Sequence, residues 1–486
     1  MTHDMTDVGI IGFGGYVPRY RLSRKAIAEA ATWLDPAMGA NVKGQRAVCD
    51  WDEDSITMAV EAARHCLTDD RRASLAGFYL ASTTLPFADR QNSAVALTAL
   101  DLPASCQAVD LGGSQRAGTS ALLLALETAA AAPGSRLAVA ADKRLARTGS
   151  PQAALYGHGA AALLVGADRV IARLVGWRTL TRDFVDHFRQ AGERYDYYWE
   201  ERWVRDEGYL KIAVEAGREL LAGVEVAGAA VDRLIFAAPI RGVREAVAKA
   251  LGIPPDRLAD DLAAGCGDTG CAHPLLMLAA ALERASPGQT LLVLGFGQGC
   301  DALLFRTTDA ITDHRPPTTI HQQVDRGIVE SSYLKFLSLQ GGVEVHYGPR
   351  AEVDYKTAIS AATRHQREFG ALQAGRCRSC GTLQFPRASI CVNPSCRALG
   401  EQEYYGLADR EATVASFTED WLAYTPHPPS CYGMLHFAEG LKLMAQFTSD
   451  AAGRVQVGTR LRMVFRIKDV DRIRGYQRYF WKAQPA

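Results

Sequence analysis

The sequence predicts an α/β protein: a large body of two related halves, then a metal-binding knuckle and a small β-barrel. Three observations carry this. One succession of helix, Pro-Gly turn, short apolar strand, Gly-x-Gly and second strand is written twice before residue 310. Four of the eleven cysteines are gathered between residues 377 and 396. Residues 412–467 alternate apolar and polar over short stretches. A length of 486 residues also exceeds what one hydrophobic core usually serves, so several domains are expected.

Composition closes other doors. Lys+Arg 54 balance Asp+Glu 54, and a chain with no net charge lacks the basic footprint of a nucleic-acid binder. A hydrophobic share of 48% with 22% charged residues describes an ordinary soluble globular chain. No apolar run reaches the roughly 18–20 residues that span a bilayer, and residues 1–7 lack the basic start and apolar core of a signal peptide. The expectation is a cytoplasmic protein without membrane contact, whose cysteines act as thiols or metal ligands rather than disulfides.

In chain order, the opening Val8–Gly12 with Phe13-Gly14-Gly15 is a poor dinucleotide loop. Val17 stands where a third glycine belongs, and Pro18 follows with no helix signal. Trp51-Asp52-Glu53-Asp54 reads as an acidic, capped start to the helix over residues 55–63. In the first copy of the repeat, Ala117-Gly118-Thr119 leads into the apolar helix 121–132. Pro133-Gly134, the strand 137–140, Gly157-His158-Gly159 and the strand 160–165 follow. In the second copy, Gly267-Asp268-Thr269 leads into the helix 275–285, then Pro287-Gly288, the strand 290–294, Gly297-Gln298-Gly299 and the strand 302–305. Short, continuously apolar strands are the kind covered on both faces in an α/β core. Two halves around a pseudo-two-fold axis follow, by duplication or by two similar units meeting in one chain. His158, between two glycines, reads as a structural turn histidine.

Residues 309–325, with Pro316-Pro317, read as a connector, and residues 355–369 as an amphipathic helix. Cys377-Arg-Ser-Cys380 and Cys391-Val-Asn-Pro-Ser-Cys396 then present two thiolate pairs, suited to one tetrahedral Zn²⁺. Because protein fills all four positions, that zinc would be structural. Residues 413–417, 434–437, 441–447 and 461–467 read as strands of a small β-barrel.

Taken together, the body resembles the thiolase superfamily, most closely its 3-hydroxy-3-methylglutaryl-CoA synthase branch. The carrying residues are Gly9-Ile10-Ile11-Gly12, Val17-Pro18-Arg19, Asp52-Glu53-Asp54-Ser55, Ala117-Gly118-Thr119 and Gly295-Phe296-Gly297-Gln298-Gly299. The C-terminal part resembles zinc-ribbon/OB-fold domains associated with acyl-CoA proteins. It does so through its four cysteines, Phe385-Pro386 and Tyr432-Gly433-Met434. The resemblance implies a thiolase-like αβαβα body over residues 1–340, its halves at about 1–170 and 171–310. A helical connector 341–370, a zinc ribbon 371–400 and an OB-fold domain 401–486 follow. It implies a coenzyme A thioester or acyl-carrier substrate, and a homodimer or a complex with another thiolase-like protein.

The same resemblance marks a departure. Where the family has its nucleophilic Cys this chain has Gln115, flanked by Ser114 and Arg116. The segment that should bear the family's His, residues 236–241, has none. Asp268 stands for an Asn, and residues 153–156 lack the expected Glu. Without the thiol an acyl-enzyme is not expected. One reading is an acyltransferase or lyase that makes or breaks C–C bonds on acyl-CoA by decarboxylation, retro-aldol cleavage or non-covalent condensation. The other is a catalytically silent acyl-CoA-binding scaffold beside an active homologue. In the first, Gln115 supports a thioester enolate, and Asp268 serves as base or as a helix-start residue. Backbone N–H groups at Gly297 and Gly299 form an oxyanion site. Cys271 with His273 as base is either a relocated nucleophile pair or packing at a helix start.

Overall fold

The computed structural model describes residues 8–314, 316–348 and 358–485; residues 1–7 lie outside them. The chain forms two compact units. The first takes in Met1–Cys49, Asp54–Ala94 and Leu102–Tyr333; the second takes in Asp50–Glu53, Val95–Asp101 and Leu334–Ala486.

The first unit is built on strands β1 (Gly9–Tyr16), β2 (Tyr20–Ser23), β3 (Gln45–Val48), β4 (Leu75–Ala81), β5 (Gln107–Leu111), β6 (Ser135–Lys143) and β7 (His158–Gly166). It continues with β8 (Ala172–Thr181), β9 (His187–Phe188), β10 (Tyr197–Tyr198), β11 (Arg233–Phe236), β12 (Thr290–Phe296), β13 (Gly299–Thr307) and β14 (Ile328–Glu330). Nine of these make one sheet, in the order β11-β12-β13-β8-β1-β7-β6-β4-β5. The pairing is the same on both sides of the β1–β8 join. In β4-β6-β7-β1, as in β11-β12-β13-β8, one parallel pair is followed by two antiparallel ones. β7 is buried along its whole length, which is why its sequence, His-Gly-Ala-Ala-Ala-Leu-Leu-Val-Gly, carries no polar alternation.

Two apolar helices occupy the heart of this unit. Ala117–Ala131 packs on β4, β6 and β7, and His273–Leu282 packs on β7 and β11. Both are apolar on nearly every side, as buried helices must be, and Pro274 sits in the first turn, where a missing N–H costs nothing. Their starts touch. A Cβ on Gly118 would lie 2.2 Å from the Cys271 carbonyl oxygen, so only glycine fits there. Between β10 and β11, Val204–Ala213 is ten residues of π-helix, a rare conformation found mostly near functional sites.

In the second unit, β15 (Gln373–Cys377), β16 (Leu383–Gln384) and β17 (Gln402–Gly406) form a small sheet. Five more strands, β18 (Glu411–Asp420), β19 (Ser430–Phe437), β20 (Lys442–Gln446), β21 (Arg460–Asp471) and β22 (Tyr476–Pro485), pair in the order β20-β19-β18-β21-β22. A bridge from Phe447 to Ala483 brings the two edges together into a near-closed barrel. β22 is longer than anything the alternation suggested, and it supplies the buried Trp481 at the barrel's centre. The amphipathic helix read over residues 355–369 is instead two short helices, Ile359–Arg364 and Gln366–Phe369, separated by His365 in a non-helical conformation. Residues 355–357 lie outside the described part.

The acidic run at residues 51–54 corrects a second expectation. The helix is Ser55–Cys66, capped by Asp54 and Thr57 in a reciprocal box, and no acid lies in its first turn. Asp52 and Glu53 serve the second unit. Asp52 meets Lys482 at 2.8 Å and Glu53 meets Arg466 at 3.1 Å, all four buried, while Asp50 meets His427 at 3.0 Å. Burial alone would raise the Asp50 carboxyl, but His427, Ser449 and the Trp51 N–H hold it down to about 2. A carboxyl depressed in the fold stabilises above its ordinary value of 3.8 and loses that contribution as the pH falls toward 2. Denaturant titrations should therefore show Asp50→Asn less stable than the parent at neutral pH, with the gap narrowing across that acid window. A gap independent of pH would contradict the assignment.

Candidate active site in the thiolase-like body

The Cys, His, Asn and Glu positions that the resemblance singles out converge on one cavity of about 510 Å³ in the first unit. Gln115, Tyr156, Ala237, Pro239, Ile240 and Asp268 all line it. Gln115 sits just before Ala117–Ala131. Its Nε2 donates to Thr83 Oγ1 at 3.3 Å, and its buried Oε1 has no protein partner. The turn that presents it is locked in place. Ser114 Oγ donates to the Gly297 carbonyl at 2.6 Å, and Arg116 pairs with Asp301 at 3.1 Å. Asp301 also accepts hydrogen bonds from Thr119, Ser120 and Thr179, so the helix start is pinned to β13.

Asp268 lies across from Tyr156 in a parallel bridge, with Gly157 N–H donating to its carbonyl at 2.7 Å. One carboxylate oxygen accepts from Gly270 N–H at 2.9 Å; the other stands 3.7 Å from Arg144 Nη1. Arg144 is otherwise occupied. Its Nη2 donates to Asp196 at 2.8 Å and to the Tyr156 hydroxyl at 2.6 Å, and that hydroxyl stands 3.1 Å from Asp196. Burial pushes the Tyr156 phenol well up despite Arg144, so it stays protonated. Arg144 keeps Asp196 below the usual carboxylate range against the opposing effect of burial.

Neither Cys271 nor His273 reaches the cavity. Cys271 is fully buried. Its N–H is held by Asp142 at 2.9 Å, and its Sγ faces the Ala81 carbonyl. Burial, reinforced by Asp142, pushes the thiol well up, the opposite of what a nucleophile needs. His273 accepts from Thr269 N–H on Nδ1 at 3.1 Å and presents Nε2 to the Asp261 carbonyl at 2.8 Å. Both nitrogens are spent on holding the helix start. His158 is equally occupied, between Cys49 N–H at 2.8 Å and the Arg144 carbonyl at 3.0 Å. Burial followed by Arg46 and Lys143 drives its imidazole well below the usual range.

Gly297 and Gly299 form the turn between β12 and β13, and neither lines the cavity. Gly297 N–H donates to the Gly299 carbonyl at 3.0 Å, so it is not free for a substrate oxygen. The requirement for glycine at 297 is steric: a Cβ would lie 2.7 Å from Arg116 N and from Ser114 Oγ.

The sequence reading missed Arg144, Asp196 and an aromatic wall of Tyr197, Tyr198, Trp199 and Tyr209. The signal was there: residues 194–203 read Arg-Tyr-Asp-Tyr-Tyr-Trp-Glu-Glu-Arg-Trp, an unusual concentration of aromatic rings in one short segment.

In the second unit, Cys377, Cys380, Cys391 and Cys396 bring their sulfurs within 4.8 Å of one another. The 377–396 and 380–391 pairs stand 3.9 and 3.6 Å apart. A tetrahedron with Zn–S of about 2.3 Å has edges of about 3.8 Å, so this donor set fits the ion. Hydrogen bonding with Thr382 lowers the Cys380 thiol to about 6.

Comparison with known proteins places this geometry. Residues 221–306 match the family model of the 3-oxoacyl-[acyl-carrier-protein] synthase III C-terminal domain, and residues 407–466 match the ChsH2 C-terminal OB-fold. The body is therefore thiolase-like, joined to an OB-fold of the ChsH2 type and to a cysteine cluster able to hold a metal. Within that class the chain is homologous to hydroxymethylglutaryl-CoA synthases. It is 28% identical to that of Methanopyrus kandleri over 346 residues, which span 68% of this chain and 97% of the relative. The Pyrococcus horikoshii enzyme is also 28% identical, over 64% of this chain and 89% of its own length. Among solved structures, an HMG-CoA synthase complexed with CoA aligns with a TM-score of 0.62 at 18% identity, covering 72% of this chain and 95% of that one. The 3-oxoacyl-(acyl carrier protein) synthase III of Pseudomonas aeruginosa aligns with a TM-score of 0.56 at 21% identity, over 62% of this chain and 98% of its own. Among the described residues no helix is long and apolar enough to cross a membrane.

Proposed function

We propose that this chain binds an acyl-CoA thioester in the Gln115 cavity and makes or breaks a carbon–carbon bond there without an acyl-enzyme. The similarity to hydroxymethylglutaryl-CoA synthases supports acyl-CoA carbon–carbon chemistry. The observation that carries the rest is the cavity lining: Gln115 at the start of a buried helix, and no cysteine on the wall. An amide cannot be acylated and released as a thiol can, but its N–H can hydrogen-bond to a thioester enolate.

Among decarboxylation, retro-aldol cleavage and non-covalent condensation, the 3.7 Å gap between Arg144 Nη1 and Asp268 favours the aldol type. That donor and acceptor are too far apart to hydrogen-bond to each other, and a β-hydroxyl approaching from the cavity side can bridge them, accepting from one and donating to the other. In the cleavage direction Asp268 takes the hydroxyl proton and the Cα–Cβ bond breaks. A carbonyl compound leaves, the electron pair passes into the thioester enolate held at Gln115, and a proton added at Cα gives the shorter acyl-CoA. Condensation is the same path reversed. Purified protein incubated with β-hydroxyacyl-, acetoacetyl- and malonyl-CoA, with products followed by mass, tests this. Release of a carbonyl compound with a shortened CoA ester supports it; tight thioester binding with no turnover of any ester would leave a binding scaffold instead.

For the second unit we infer one structural Zn²⁺ on Cys377, Cys380, Cys391 and Cys396. Elemental analysis should find about one zinc per chain. Cys377→Ser should lower that content and unfold the ribbon, seen as new protease cuts between residues 371 and 400. Full folding with no bound metal would contradict it.

A further inference from the structure

The cavity wall carries more carboxylates than guanidinium groups. Asp186, Asp196, Glu201 and Asp268 line it against Arg144 and Arg147. Arg189 also approaches Asp196, at 3.2 Å, and the four carboxylates still outnumber the three guanidinium groups with it counted, His187 lying 3.1 Å from Asp186 on the same wall. Arg144, the most buried cation of the wall, has spent two of its three nitrogens on Asp196 and Tyr156. Its remaining edge faces Asp268. An arginine so committed offers no free fork to a substrate carboxylate.

The rest of the wall is largely apolar, and its bulkiest side chains are aromatic. Tyr197, Tyr198 and Trp199 come from the segment around β10, Tyr209 from the π-helix and Phe296 from the end of β12. Tyr209 and Phe296 stand 4.3 Å apart between ring centroids, a continuous face rather than isolated rings. Burial raises the Tyr198 and Tyr209 phenols, so both remain neutral donors. A space of about 510 Å³ holds far more than an acetyl or malonyl group.

Resting on the reading of this cavity as the acyl site, we propose that it selects thioesters whose acyl group is uncharged and bulky, a ring-bearing or branched β-hydroxyacyl chain. Acyl groups that end in a carboxylate are disfavoured. Net negative charge repels them, the committed Arg144 cannot pair with them, and the buried rings of Tyr209 and Phe296 leave them poorly solvated.

The test is equilibrium binding to the full-length protein of 3-hydroxy-3-phenylpropanoyl-CoA, glutaryl-CoA, malonyl-CoA and free CoA. The phenyl ester should bind more tightly than free CoA and at least about tenfold more tightly than either carboxylate-ended ester. Equal or tighter binding of glutaryl- or malonyl-CoA overturns the selection. If no ester binds better than free CoA, the cavity is not an acyl site, and both the underlying reading and the selection fall. Asp196→Asn, which removes one negative charge from the wall beside Arg144, supplies a second arm. It should raise the affinity for glutaryl-CoA relative to the phenyl ester about tenfold, with a circular-dichroism spectrum matching the parent to show the variant folded. No gain for glutaryl-CoA in a variant that still binds the phenyl ester overturns the electrostatic basis.

Discussion

Asp268→Asn is expected to cut turnover of a β-hydroxyacyl-CoA by about 10²–10⁴-fold while leaving thioester binding nearly intact. The asparagine keeps the size of the side chain, and its carbonyl oxygen can still accept from Gly270 N–H, so the loop holds its shape. What it loses is the ability to take the β-hydroxyl proton. The effect should therefore fall on kcat rather than on KM, since a proton acceptor matters in the transition state and a size-matched amide preserves ground-state contacts. Loss of binding with kcat preserved would show that Asp268 serves only to hold Arg144 and the loop.

Arg466→Leu is expected to destabilise the second unit by about 3–5 kcal/mol. Arg466 and Glu53 are both buried, so removing the guanidinium leaves a buried carboxylate without its counter-charge. Replacing both members tests the mechanism. Glu53→Leu with Arg466→Leu should recover most of the loss, because two apolar groups have no charge to strand. Urea unfolding of both single variants, the double variant and the parent measures this. If the double variant loses as much as the single losses combined, packing rather than charge explains the pair.

The elements that set the fold were legible because burial leaves a plain trace. Continuous apolar runs marked β6, β7, β12 and β13, and the paired spacing marked the cluster of four cysteines. Gln115 and Asp268 were legible only through resemblance, since a lone amide or acid before a helix has many ordinary uses. Cys271 misled for a physical reason: a thiol at a helix start has the right local dipole, but activation depends on surroundings that sequence does not display. Asp142, 129 positions away in the chain, accepts its N–H and sets its environment. The acidic run at 51–54 misled in the same way, because the partners of Asp52 and Glu53 lie more than 400 residues downstream. Arg144, Tyr156 and Asp196 are brought together only by tertiary structure. Arg144 follows the end of β6, Tyr156 precedes β7 and Asp196 sits in the short hairpin of β9 and β10, which follows no period that a sequence reading looks for.

The central claim is carbon–carbon chemistry at a thioester without a covalent acyl-enzyme. The most direct test is the intact mass of the protein, taken by rapid quench while a β-hydroxyacyl-CoA is being turned over. The expected result is an unmodified polypeptide at every time point while the shortened CoA ester accumulates. A transient mass increase equal to the acyl group, mapped to any cysteine of the first unit, would contradict it.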